Sequence, residues 1–108
     1  MFTRYALFEG RVHSGREDEF FHLVEDRLLP LWRQMPHAEA VRVCRTVTAD
    51  PDAPPLIMVL AIDYPSLAAI EEALASPVRT QARAVTEEIA QLFDGRFYHL
   101  VGQRLGAA

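Results

Sequence analysis

Four histidines and one cysteine are the side chains of this chain with the widest chemical reach. His13, His22, His37 and His99 are scattered, and none lies three or four residues from another. There is no H-x-H and no cysteine-containing ligand spacing. A metal would have to gather its ligands from distant segments, so the spacing predicts no metal site. Cys44 stands alone on an expected strand, without any signal of an activated thiol, and is expected to be a small packed residue. No G-x-S-x-G, P-loop or G-x-G-x-x-G occurs, which argues against a hydrolase nucleophile and a phosphate cradle. Glu9 and Asp63 lie in or near strands, but nothing pairs them as carboxylates with split roles. No cofactor is predicted.

Arg27, Trp32, Arg79 and His99 form the candidate pocket. Helical periodicity puts Arg27 on the border of one apolar stripe, beside Phe20 and Leu23. It puts Arg79 on the border of a second stripe, near Thr86. An arginine there either snorkels, with its stem packed and its head in water, or lines the mouth of a cleft. In the second reading Trp32 is an aromatic wall. An arginine stays protonated, so it cannot be a general base near neutral pH, but it can hold a carboxylate or phenolate. His99 lies mid-strand between Tyr98 and Leu100. It points under the helices or into an interface, either as a satisfied core histidine or as a group that moves a proton.

These residues need elements to hold them. Residues 2–12 lack a helical period and read as a strand. Ser14 and Glu17 match a capping box, and Glu17, Asp18 and Glu19 suit the positive end of a helix dipole. A helix is predicted over 15–35, where Phe20, Val24, Leu28, Leu31 and Met35 recur at three- and four-residue steps. Pro30 must kink it, because it lacks the N–H owed to residue 26. Residues 39–48 alternate as an edge strand does. Asp50-Pro51 to Pro54-Pro55 is the clearest turn. Residues 56–62 are apolar on both faces and belong in the sheet centre. Ser66 and Ser76 are expected helix N-caps, with Pro77 at a first helical position. Asp94-Gly95 is the expected helix end, and 97–101 the last strand.

The order is βαββαβ, an α+β chain of one domain over 1–108. Its compact solution is ferredoxin-like: a four-stranded antiparallel sheet in the order 4-1-3-2, with helices on one face. An antiparallel sheet with one wet face should alternate apolar and polar residues. Only 39–48 does so. The uncovered face would exceed the apolar patch a soluble monomer usually shows, so the sequence predicts a homodimer through that face, closing an α/β barrel.

Composition excludes other classes. The net charge is −4, and all 11 basic residues are arginines interleaved with Asp and Glu. That is no nucleic-acid surface. The longest apolar run, 56–62, is far short of the ~20 residues of a membrane span, so no membrane partner is expected. A lone cysteine gives no disulfide and no reason to leave a reducing compartment, and a cytoplasmic location is expected.

Three segments resemble the dimeric α/β-barrel superfamily, and among its branches the EthD-like and stress-responsive barrel proteins. Ser14-Gly15-Arg16-Glu17-Asp18-Glu19-Phe20 resembles the entry to their first helix. Leu29-Pro30-Leu31 with Met35-Pro36 resembles its exit. Ala75-Ser76-Pro77-Val78-Arg79 with Phe93-Asp94-Gly95 resembles the broken second helix. The resemblance implies the fold and the dimer more firmly than the function, since members include cofactor-free monooxygenases, isomerases, cyclases and haem-degrading enzymes. Two histidines common in the family are replaced here by Arg27 and Arg79. The expected function is therefore a small-molecule-binding or cofactor-independent enzyme-like barrel for an apolar or aromatic compound, anionic if the arginines engage it. The alternative is a non-catalytic structural or regulatory barrel with a filled cavity. A haem-handling barrel would need an axial ligand from an isolated histidine such as His99.

Overall fold

The computed structural model describes residues 1–106. Its strands are β1 (Phe2–Val12), β2 (Ala40–Arg45), β3 (Leu56–Tyr64) and β4 (Phe93–Gln103). They form one antiparallel sheet in the order β2-β3-β1-β4, as the apolar character of β3 implies. The helical segments are α1 (Glu17–Leu23), a π-helical turn (Val24–Leu28), α2 (Leu29–Trp32), α3 (Leu67–Leu74) and α4 (Pro77–Ile89). A 3₁₀ turn (Ala90–Leu92) leads from α4 into β4.

The register explains the core. Ala6 lies opposite Leu60 on β3 and His99 on β4, while Phe8 lies opposite Met58 and Phe97. Ala6, Phe8, Met58, Leu60 and Ile62 thus share one face, where they are buried against Phe20, Val24, Leu28 and Ile89. The other face carries Tyr5, Leu7, Val59, Tyr98 and Leu100, which are half-buried or exposed. Leu100 keeps 48% of its surface open.

Ser66 and Ser76 cap as their positions suggest. The Ser66 hydroxyl accepts from the Ala69 N–H at 3.0 Å, and that of Ser76 from the Arg79 N–H at 3.3 Å. Four expectations are corrected. First, Ser14 and Glu17 form no capping box: Gly15 turns at φ +78° and α1 starts with Arg16 at its N-cap, making no side-chain cap bond. The Arg16 guanidinium instead donates to Glu19 at 2.7 and 2.8 Å.

Second, the helix over 15–35 is not a single kinked α-helix. Around Pro30 it opens into the π-helical turn, in which the Leu29 N–H reaches the Val24 carbonyl. Pro30 cannot supply the bond owed to Asp26, and its ring crowds that carbonyl. Third, Asp94-Gly95 does not end a helix but lies inside β4, which pairs with β1 as far as Val12 and Phe93. Gly95 faces Gly10 there, where the two backbones approach closely. Fourth, Cys44 is not packed but exposed, on the sheet face away from the helices.

Candidate functional site

A cleft of about 370 Å³ opens between the helices and the sheet. Its floor is apolar, from Phe8, Leu60, Ile62 and Phe97. Trp32 and Met35 wall it from the α2 side, and Trp32 is 5% exposed. The polar lining comes from Arg4 on β1, Arg79, Arg83 and Thr86 on α4, and His99 on β4.

The backbone puts these groups together. Positions 79, 83 and 86 lie four and three residues apart, which is one face of a helix. Arg4 follows Ala6 and Phe8 in strand alternation, so it shares their face. Val101 lies opposite Arg4, and His99 opposite Ala6. His99 therefore stands diagonally beside Arg4, with its ring edge-on to Phe97 at 6.1 Å.

Charge is one-sided in this cleft. No carboxylate lines it. Among the described residues, no carboxylate pairs with Arg4 or Arg79, while Arg83 lies 3.7 Å from Glu87. Burial, then the like charge of Arg79, pulls the Arg4 guanidinium below its usual pKa, with Tyr64 acting the other way. It stays cationic at neutral pH. Burial pushes His99 down to about 4, helped by the charges of Arg4, Arg79 and Arg83. Its imidazole is neutral at neutral pH, with the ring against the cleft and Phe97 although the residue as a whole is exposed.

Of the residues singled out from sequence, Trp32, Arg79 and His99 line this one cleft. Arg27 does not. Its guanidinium lies 2.8 Å from the Glu88 carboxylate on α4, outside the lining. Arg4 and Arg83 went unnoticed in the sequence. Arg83 could have been found as the residue one turn beyond Arg79, and Arg4 by alternation with Ala6 and Phe8.

The other histidines are tied to carboxylates: His13 to Asp94 at 3.2 Å, His22 to Asp26 at 2.8 Å, and His37 to Glu72. Asp63 accepts from Thr3 at 2.6 Å and from Arg42 at 3.2 and 3.3 Å, away from the cleft. Among the described residues no three His, Cys, Asp or Glu side chains gather as metal ligands would, and no helix is long and apolar enough to cross a membrane.

No family model matches the sequence, and no curated protein matches it either. Solved structures share its fold. An EthD family protein of Bacillus halodurans superposes with a TM-score of 0.75 at 15% identity, over 97% of this chain and 99% of that one. A dimeric protein of unknown function and ferredoxin-like fold from Bacteroides fragilis gives 0.70 at 11% identity, over 95% of each chain. An antibiotic biosynthesis monooxygenase gives 0.64 at 16% identity, over 97% of this chain and 99% of that one. Such identities speak for fold and not for activity, and the fold of this chain is the ferredoxin-like βαββαβ sheet with its helices.

Proposed function

We propose that this chain is a small-molecule-binding barrel protein whose helix–sheet cleft takes a small, largely apolar organic anion. The observation that carries this is the cleft's charge: Arg4, Arg79 and Arg83 line it, and no carboxylate does. Desolvating cationic groups together is unfavourable unless an opposite charge arrives. A ligand carboxylate or phenolate supplies it through charge-assisted hydrogen bonds, about twice as strong as neutral ones. Trp32, Phe8 and Phe97 suit a ring, and about 370 Å³ matches sites for small molecules.

The same reading includes a homodimer formed through the uncovered sheet face, and a single domain over the whole chain. Tyr5, Leu7, Val59 and Leu100 on that face support the dimer, as does the description of the Bacteroides fragilis neighbour as dimeric. An inert barrel with its cavity filled by side chains fits the open cleft poorly.

Thermal-shift measurements with benzoate and benzamide test the proposal. Benzoate is expected to raise the melting temperature and benzamide to leave it unchanged, with the benzoate effect lost in Arg79→Ala. Equal responses to acid and amide would overturn the anionic assignment.

A further inference from the structure

Donors dominate the polar lining of the cleft. Guanidinium groups have N–H bonds and no acceptor, and the indole of Trp32 has only its N–H. The Thr86 hydroxyl gives its proton to the Ala82 carbonyl within its own helix at 2.8 Å, which leaves its oxygen as an acceptor. His99 is the second side chain that differs. The ring of His99 faces the cleft, and among the described residues no side-chain hydrogen bond or ion pair engages it. The other three histidines each meet a carboxylate.

The charged and titratable groups around His99 are Arg4 from β1 and Arg79 and Arg83 from α4. Glu87 lies beyond Arg83, and Tyr64 at the end of β3 acts on Arg4. All the cationic neighbours disfavour a proton on the ring. His99 thus presents one lone-pair nitrogen beside its N–H, in a cleft whose other polar side chains, Thr86 apart, are donors.

A ligand that satisfies such a site needs a donor as well as a negative charge. It needs acceptors for the guanidinium groups and one donor for His99. A simple carboxylate supplies only acceptors, so it engages N–H groups and leaves the acceptor nitrogen of His99 to water. Resting on the cleft reading above, we propose that the ligand class is an aromatic or enolic hydroxy acid. Its anion lies against Arg4 and Arg79, and its weakly acidic hydroxyl donates a hydrogen bond to His99. In that position the hydroxyl keeps its proton and donates it as a hydrogen bond, because the guanidinium groups around the ring disfavour an imidazolium.

Calorimetric titration of the full chain at neutral pH tests the assignment. The probes are benzoate, its ortho-, meta- and para-hydroxy derivatives, and the matching methoxy compounds. At least one hydroxybenzoate is expected to bind roughly three- to tenfold more tightly than benzoate, the worth of one hydrogen bond. The methoxy compound should lose that gain. In His99→Leu the ratio of hydroxybenzoate to benzoate affinity should fall to about one, and His99→Gln, which restores an acceptor, should recover part of it. The comparison of hydroxy with methoxy probes needs no variant, so it decides even where His99→Leu fails to fold. Arg79-dependent binding of benzoate with no hydroxyl gain, or a gain that survives His99→Leu, overturns the hydroxy-acid class and leaves the anion cleft standing. Absence of binding by every probe, or binding indifferent to Arg4→Ala and Arg79→Ala, overturns both.

Discussion

Arg27 and Glu88 form an ion pair across the helical layer, 2.8 Å from nitrogen to oxygen. Both side chains are about half exposed, at 45% and 59%. The pair neutralises the one arginine of the candidate set that lies outside the cleft.

Arg27→Ala is therefore expected to keep the stabilisation given by benzoate, while Arg4→Ala and Arg79→Ala lose most of it. An exposed pair of this kind contributes at most about 1 kcal/mol, so the urea midpoint of Arg27→Ala should move little. Thermal-shift titration of the three variants side by side checks this. Loss of the benzoate effect in Arg27→Ala would return that residue to the site.

Arg27 also shows where sequence reasoning stops. A strict period of 3.6 places a residue on a helix face only while every turn is α-helical. The π-helical turn Val24–Leu28 inserts extra backbone in that stretch, and the partner that fixes Arg27 lies 61 positions away, at Glu88. Neither is visible locally. The second pair of helices was legible because its signals are local: Ser66 and Ser76 cap at three-residue range. The Ser14-x-x-Glu17 pattern misled because Gly15 turns the chain before the helix begins. Asp94-Gly95 misled because a glycine needed for close strand approach looks the same as one that ends a helix. The strand order followed from the two-faced β3, and Trp32, Arg79 and His99 were each legible. Their meeting on one cleft depends on the sheet register.

His99 makes the folded state sensitive to acid. Burial and three guanidinium groups lower its pKa from 6.5 to about 4, so the unfolded chain takes up this proton first as pH falls. The stabilisation is complete above pH 6.5 and is lost as pH falls from 6.5 to about 4. Asp63 adds a separate acid window. Burial raises its carboxyl, but bonds from Thr3 and Arg42 and the charges of Arg42 and Arg104 outweigh this and hold it below 3.8. Its stabilisation is therefore lost only below that value. An NMR pH titration should show the His99 ring titrating near 4, with Arg79→Ala moving it upward. A ring that titrates near 6.5 in the native protein would contradict the one-sided field.

Gly10 and Gly95 are expected to be intolerant of alanine. A Cβ at Gly10 would lie 2.1 Å from the Asp94 carbonyl oxygen, and one at Gly95 2.1 Å from that of Glu9. Both have positive φ, +149° and +155°. Backbone cannot step aside as a side chain can, so the clash and the strain add. Gly10→Ala should lose about 3 kcal/mol or more in urea unfolding, or fail to fold. Gly15→Ala, with open space and φ +78°, should cost less. Near-equal losses at positions 10 and 15 would show that the strands can separate there.

The two faces of the sheet give the dimer its test. Met58 is 1% exposed beneath the helices, so Met58→Asp buries an unpaired carboxylate in the core and should abolish folding. Leu7 and Val59 lie opposite one another on the outer face and are only half-buried in the single chain. There a carboxylate can reach water in the monomer but not in a dimer. Leu7→Asp and Val59→Asp should therefore keep the native circular dichroism and sediment as monomers, while the parent chain sediments as a dimer at micromolar concentration. An interface of about 1,200 Å² or more is what a stable pair requires. On the outer face lie Tyr5, Leu7, Val59, Tyr98 and Leu100, flanked by Arg42 beside Asp63 and by Arg96 beside Glu9. A parent chain that sediments as a monomer would sink the dimer. Variants that unfold as Met58→Asp does would show that this face is already covered within one chain.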